Sequence, residues 1–216
     1  MNIGLMGGTF NPVHLGHLRI AEEARELCRL DRVLFIPAGD PPHKPLAGEV
    51  SFARRREMVR LAIAGNPAFE LSDIEGQREG KSYSIDTIGF FHAQCPADRL
   101  FFIIGSDSFF EIGLWHRYAE IFRLCSLIVV ERPGRPVADP LEALPVAIRG
   151  EFSYTDTPCR LQHASGRYVH ILKGRPLDIS STAIRCLAAA GSSISHLVPP
   201  AVEAYIKNQR IYTECQ

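Results

Sequence analysis

Four apolar runs of strand length constrain this chain most. Asn2 to Met6, Arg32 to Pro37 (with Val33-Leu34-Phe35-Ile36), Leu100 to Ile104 and Leu127 to Val130 are continuous rather than alternating. Runs of that kind suit strands buried on both faces of a parallel sheet. Between them lie segments with helical spacing. Leu15, Leu18, Ala21, Ala24 and Leu27 recur at threes on one face, opposite Glu22, Glu23, Arg25 and Glu26. Phe52, Val59, Ala62 and Ile63 mark a second such helix, beginning near Ser51. Strand alternating with helix predicts an α/β fold: a doubly wound parallel sheet with helices on both faces, whose ligands sit outside the carboxyl ends of the strands.

The pattern loosens between Arg132 and Pro176, where Pro133, Pro136, Pro140 and Pro145 interrupt it and a strand-like Tyr168 to Leu172 closes it. This segment reads as an irregular lid or connection rather than a second core. Helix signals return at Ser180-Ser181-Thr182, ahead of Ala183 to Ala190, and at Pro199-Pro200, opening a helix through Lys207. At 216 residues the chain is long enough to bury a full core as one domain, 1–216, with 179–216 a small helical end.

Charge and cysteine narrow the partners. The 24 Lys+Arg balance 24 Asp+Glu, so no overall basic field exists to hold a nucleic-acid backbone or an anionic membrane. The six cysteines include no C-x-x-C pair, which leaves neither a zinc knuckle nor a thioredoxin-like motif. The apolar run at the start is broken by Gly7-Gly8, too short for a signal segment, and no stretch approaches the ~20 apolar residues of a membrane span. The expectation is a reduced, cytoplasmic protein.

Two glycine-rich segments compete for a phosphate. Gly76-Gln77-Arg78-Glu79-Gly80-Lys81-Ser82 resembles a P-loop, but three residues separate its glycines where the cradle of N–H groups needs four. It reads as an exposed turn leading into a helix. The first strand–helix junction is better built: Gly7-Gly8-Thr9-Phe10-Asn11-Pro12-Val13-His14-Leu15-Gly16-His17. The glycines permit a sharp turn and close ligand approach. His14 and His17, spaced i, i+3, share one helical face in a first turn whose unpaired N–H groups attract an anion. Gly16 leaves that approach clear. The residues alone also admit metal ligands or exposed cap residues, although no Cys or Asp spacing supplies the remaining zinc ligands.

That junction, taken with Ile179-Ser180-Ser181-Thr182-Ala183-Ile184-Arg185, resembles the HxGH and ISSTxxR signatures of the Rossmann-like nucleotidyltransferase superfamily. The segments Pro37 to Lys44, Ser82 to Thr87, Gly105-Ser106-Asp107 with Trp115, and Pro199 to Tyr212 narrow the resemblance to bacterial nicotinate-nucleotide adenylyltransferases, essentially end to end. The resemblance implies adenylyl transfer from ATP to nicotinate mononucleotide, in NAD biosynthesis, with Mg2+ carried by the ATP phosphates.

It also implies roles. His14, His17, Lys44 and Arg185 would be catalytic, stabilising charge on the triphosphate. Gly7, Gly8, Thr9, Phe10, Gly105, Asp107, Ile179, Ser180 and Ser181 would bind ATP, with Asp107 the ribose partner. Tyr83, Ser84, Thr87 and Trp115 would bind nicotinate mononucleotide, the backbone near Tyr83 and Ser84 receiving the ring carboxylate and Trp115 stacking on the ring. Ser84 stands where many relatives carry Thr, which retains a hydroxyl. No protein metal ligands are implied. The competing functions are pantetheine-phosphate adenylyltransferase or another small-molecule nucleotidyltransferase, and a non-catalytic nucleotide sensor. The run Arg54-Arg55-Arg56 reads as a solvated helix face rather than a phosphate clamp. His92, His116, His163, His170 and His196 carry no pattern that assigns them a role.

Overall fold

The structure is a computed structural model describing residues 1–41, 50–132, 134–174 and 177–213. Strands β1 (Asn2–Gly8) and β2 (Arg32–Pro37) flank helix α1 (Leu15–Leu27); α2 (Phe52–Ile63) and β3 (Phe69–Leu71) follow. Next come α3 (Ser84–Gln94), β4 (Arg99–Gly105), the short α4 (Ser106–Phe110), α5 (Tyr118–Leu124) and β5 (Ser126–Val130). The chain continues through α6 (Val146–Arg149), β6 (Phe152–Tyr154), β7 (Arg160–His163) and β8 (Tyr168–Leu172), and ends with α7 (Ser181–Ala189) and α8 (Pro200–Asn208).

The eight strands form one sheet in the order β3-β2-β1-β4-β5-β8-β7-β6. All pairings from β3 to β8 are parallel, as expected from the apolar runs. The runs are continuous because both faces of the sheet are covered. Leu34 and Ile36, Leu100, Phe102 and Ile104, and Leu127 and Val129 point into one buried cluster with Ile85, Ile88, Phe109 and Phe122. Val33 and Phe35, Ile103, and Ile128 and Val130 point into the other, with Ala21, Met58, Val59, Ile184 and Val202. Each cluster lies under helices from that side, so neither strand face tolerates a polar residue.

The segment after Arg132 departs from the expected lid. It adds three strands: β8 pairs parallel to β5, and β7 and β6 continue antiparallel. Val137, Leu144, Ile148, Phe152, Leu161 and Val169 from this stretch join the first cluster. Strands of three and four residues are too short to leave a legible apolar run, and Pro136, Pro140 and Pro145 all precede α6, ahead of the first of them.

The chain turns from β1 toward β2 on one side, and β4 pairs with β1 on the other. The carboxyl ends of β1 and β4 therefore frame the crevice at the topological switch point, the place where an open α/β sheet admits ligands. Gly8 ends β1 and Gly105 ends β4.

Candidate active site

The β1–α1 loop reaches this crevice through an unusual backbone. Phe10 adopts φ +48°, in the left-handed region, and its ring is 2 % exposed, packed edge-on against His17 and beside Phe35. The side chain of Phe10 thus belongs to the core. His14 caps α1 in extended conformation, and its N–H donates to Nδ1 of His17 at 3.2 Å. That bond fixes the tautomer of His17: Nδ1 accepts, so the proton sits on Nε2. The two imidazoles lie stacked with centroids 3.7 Å apart. Gly16 is required by this stack, since a Cβ there would come within 3.0–3.1 Å of the His14 ring.

Both histidines are neutral at physiological pH. Burial, and then the charge of Arg132, lowers His14 from 6.5 to about 4. Burial, then His14, then Arg132 holds His17 well below its ordinary value. Nδ1 of His14 is buried with no hydrogen-bond partner among the described residues. A bound polyphosphate would supply both the negative charge and the acceptors that this environment lacks.

The far end of the chain closes the same crevice. Arg185 donates to the Asn11 carbonyl at 2.9 Å and to Thr182 Oγ1 at 3.3 Å. Ser181 Oγ donates to the Pro12 carbonyl at 2.9 Å, and Ser180 caps α7 by accepting from the Ala183 N–H. Tyr212 donates its hydroxyl to Asn11 Oδ1 at 2.6 Å from a buried position. Ile179 packs beside these groups, against the second buried cluster.

At the mouth of β4, Asp107 pairs with Arg132 at 3.2 Å and with Arg135 at 3.7 Å. The sequence reading missed Arg132, whose position two residues beyond β5 gives no local pattern to find.

The residues expected to hold the pyridine ring lie on the other face of the sheet. Trp115 is half-buried, edge-on to Phe102, and Tyr83 packs into the same cluster. His116, assigned no role from sequence, lies against the Tyr83 ring at 4.4 Å. The Tyr83 N–H is committed to the Lys81 carbonyl at 3.2 Å, and the first turn of α3 begins at Ser84. Thr87 corrects the expected placement: it is 1 % exposed, its hydroxyl donates to Glu75 at 2.7 Å and accepts from Arg78, and it braces α3 from beneath. Buried one helical turn inside α3, its hydroxyl has no open side for a ligand. The Gly76–Ser82 segment is a turn before α3, as read, with Lys81 paired to Asp40 at 2.9 Å. Lys44 lies outside the described residues.

The arginine run is also corrected. Arg54 and Arg56 are exposed, but Arg55 is 0 % exposed and donates to backbone carbonyls. Three consecutive residues on a helix point in three directions about 100° apart, so one of them meets the core.

Among the described residues no group of three His, Cys, Asp or Glu could hold a metal ion, and no helix is long and apolar enough to cross a membrane.

This site, on this sheet, is of the cytidylyltransferase-like class, whose family model matches residues 5–187. Two relatives named "Probable nicotinate-nucleotide adenylyltransferase" cover the whole chain and are wholly covered by it. The one from Pelobacter propionicus is 72 % identical, and the one from Geotalea uraniireducens 59 %. The chain belongs to the nicotinate-nucleotide adenylyltransferase family. Its fold is also that of the Plasmodium falciparum nicotinic acid mononucleotide adenylyltransferase: TM-score 0.75 and 18 % identity over 98 % of this chain and 97 % of that one, in the complex with NaAD.

Proposed function

We propose that the crevice above β1 and β4 is where this chain carries out its family's reaction. The adenylyl group of ATP passes to nicotinate mononucleotide, giving nicotinate adenine dinucleotide and pyrophosphate, in NAD biosynthesis. A phosphate oxygen of nicotinate mononucleotide forms a bond to the α-phosphorus of ATP, and the bond from that phosphorus to the bridging oxygen of pyrophosphate breaks. A phosphate monoester has its second pKa near ~6, so at neutral pH the attacking oxygen needs no base. The protein's contribution is then position and charge stabilisation.

The observation that carries this division of labour is the neutral, stacked His14–His17 pair, with Nε2–H of His17 the hydrogen on offer to a phosphoryl oxygen. Arg185 and Lys44 add positive charge, and the Ser180 hydroxyl retains its proton for donation. The backbone of Gly7 to Phe10, with Gly105, Asp107, Ile179 and Ser181, receives the adenosine and phosphates. Mg2+ carried on the ATP phosphates would supply charge neutralisation there.

On the other face, Trp115 stacks on the pyridine ring beside Tyr83 and His116, and the Ser84 N–H receives the ring carboxylate. A donor there prefers a carboxylate to an amide NH₂. The chain works as one domain, 1–216, in the cytoplasm, with 179–216 completing the ATP site. The hydrogen bonds from Ser181, Arg185 and Tyr212 to the Asn11–Pro12 loop support that reading.

The test is product formation. With ATP, a magnesium salt and nicotinate mononucleotide, nicotinamide mononucleotide or phosphopantetheine in turn, pyrophosphate release is expected chiefly with the first. Release with phosphopantetheine alone overturns the acceptor assignment, and silence with all three favours a nucleotide sensor.

A further inference from the structure

Arg55 is a cation sealed inside the protein; among the described residues it is the largest fully buried side chain, and its hydrogen bonds there all go to backbone carbonyls. One end of its guanidinium donates to the Thr9 carbonyl at 2.8 Å. The other donates to Ala38 at 2.7 Å and reaches Gly39 at 3.5 Å, while Nε holds Val50 at 3.3 Å. Thr9 lies in the loop proposed to cradle ATP. Ala38 and Gly39 open the loop after β2, which is tied onward to the pyridine side. The N–H groups of Gly39 and Asp40 each donate to Ser82 Oγ at 3.1 Å, and the Ser82 N–H donates to the Asp40 carbonyl at 2.8 Å. Ser82 immediately precedes the Tyr83–Ser84 start of α3.

We infer that Arg55 is a positioning residue that sets the distance between the ATP loop and the nicotinate mononucleotide loop. The planar fork of a guanidinium fixes the directions of its donors, so the Thr9 and Ala38 carbonyls are held at one separation. An in-line displacement depends on that separation, because a small misplacement of the two reacting atoms costs rate without abolishing binding of either partner. A lysine keeps the charge but gathers its three donors on one freely rotating nitrogen without the planar fork, so it does not fix the directions to the two carbonyls. The inference rests on assigning the two loops to the two substrates.

The experiment compares Arg55→Lys and Arg55→Met with the wild type by steady-state kinetics in both substrates, and by amide hydrogen exchange without substrate. Faster exchange is expected in both the Gly8–Asn11 and the Ser82–Ile85 segments. With it, kcat is expected to fall at least tenfold for the folded lysine variant, and the two KM values to rise only modestly and together. Arg55→Lys keeps the test open if the methionine variant fails to fold. Unchanged exchange in either loop overturns the coupling, as does a lower melting temperature with kcat and both KM values intact and exchange unchanged. A rise confined to one KM with kcat retained overturns it as well. Loosened exchange in both loops with kinetics unchanged would instead overturn the assignment of these loops to the substrates.

Discussion

The N–H of His14 donates to Nδ1 of His17, and the two rings stack 3.7 Å apart with neither carrying a proton's charge at pH 7. An HxGH turn built this way offers directed N–H groups rather than two cations. It avoids the repulsion that paired imidazoliums would suffer beside Arg132 in the free enzyme.

Replacing His17 with Ala removes the one N–H whose direction the tautomer fixes. The expected outcome is a loss of about 10²–10³ in kcat with little change in KM, by analogy with removing a single donor aimed at a developing charge. Initial rates at varied ATP check this; a variant altered only in KM would place His17 in ground-state binding.

The pH profile follows from the same pair. With His14 at about 4 and His17 held well below 6.5, neither loses a proton between pH 6.5 and 8 in the free enzyme. So kcat/KM should stay level across that range. An acid limb near ~6 is expected from the substrate phosphate. A fall as pH rises through 6.5–7.5 would mean that a protonated imidazole is needed.

Arg132 lowers both histidines by its charge, second to burial for His14. Replacing it with Met should therefore raise the His14 pKa from about 4, yet leave it below 6.5 because burial remains. Imidazole proton shifts followed by NMR titration give the answer directly.

Trp115→Ala should weaken nicotinate mononucleotide by about 1–3 kcal/mol, the range for lost aromatic stacking. ATP affinity should barely move, since the tryptophan sits across the sheet from the His14–His17 pair. Calorimetric titration of each ligand separates this from a general loss of fold, which would weaken both.

His170 is lowered to about 4, chiefly by burial and then by Arg160. A group depressed on folding contributes stability that is complete above its unfolded value of 6.5 and is lost as pH falls toward 4, because the unfolded chain takes up the proton first. His170→Gln should make the decline of melting temperature between pH 6.5 and 4 shallower, with stability at pH 7 changed far less. Scanning calorimetry across that range measures the difference.

Most of the central sheet could be read directly because burial on two faces writes itself into composition: Val33 to Ile36 and Leu127 to Val130 must be apolar at every position. The caps were legible for a similar local reason, Ser51 and Ser180 each accepting an N–H three residues ahead. The edge strands Phe152–Tyr154 and Arg160–His163 were not, being too short to show a period.

The chain's own sequence determined the parallel α/β core, the helix starts and the Gly-Gly-to-His17 junction, since each rests on interactions within a few residues. Tertiary structure alone decided the rest. It sent Arg55 inward to hold Thr9 and Ala38, turned Thr87 onto Glu75, and placed His116 on Tyr83. It also buried His14 and His17 and brought Arg132 close enough to lower both further. These arrangements depend on burial and charge contributed by segments far apart in the chain. A side chain's neighbours in sequence do not report what it will meet once the sheet has closed.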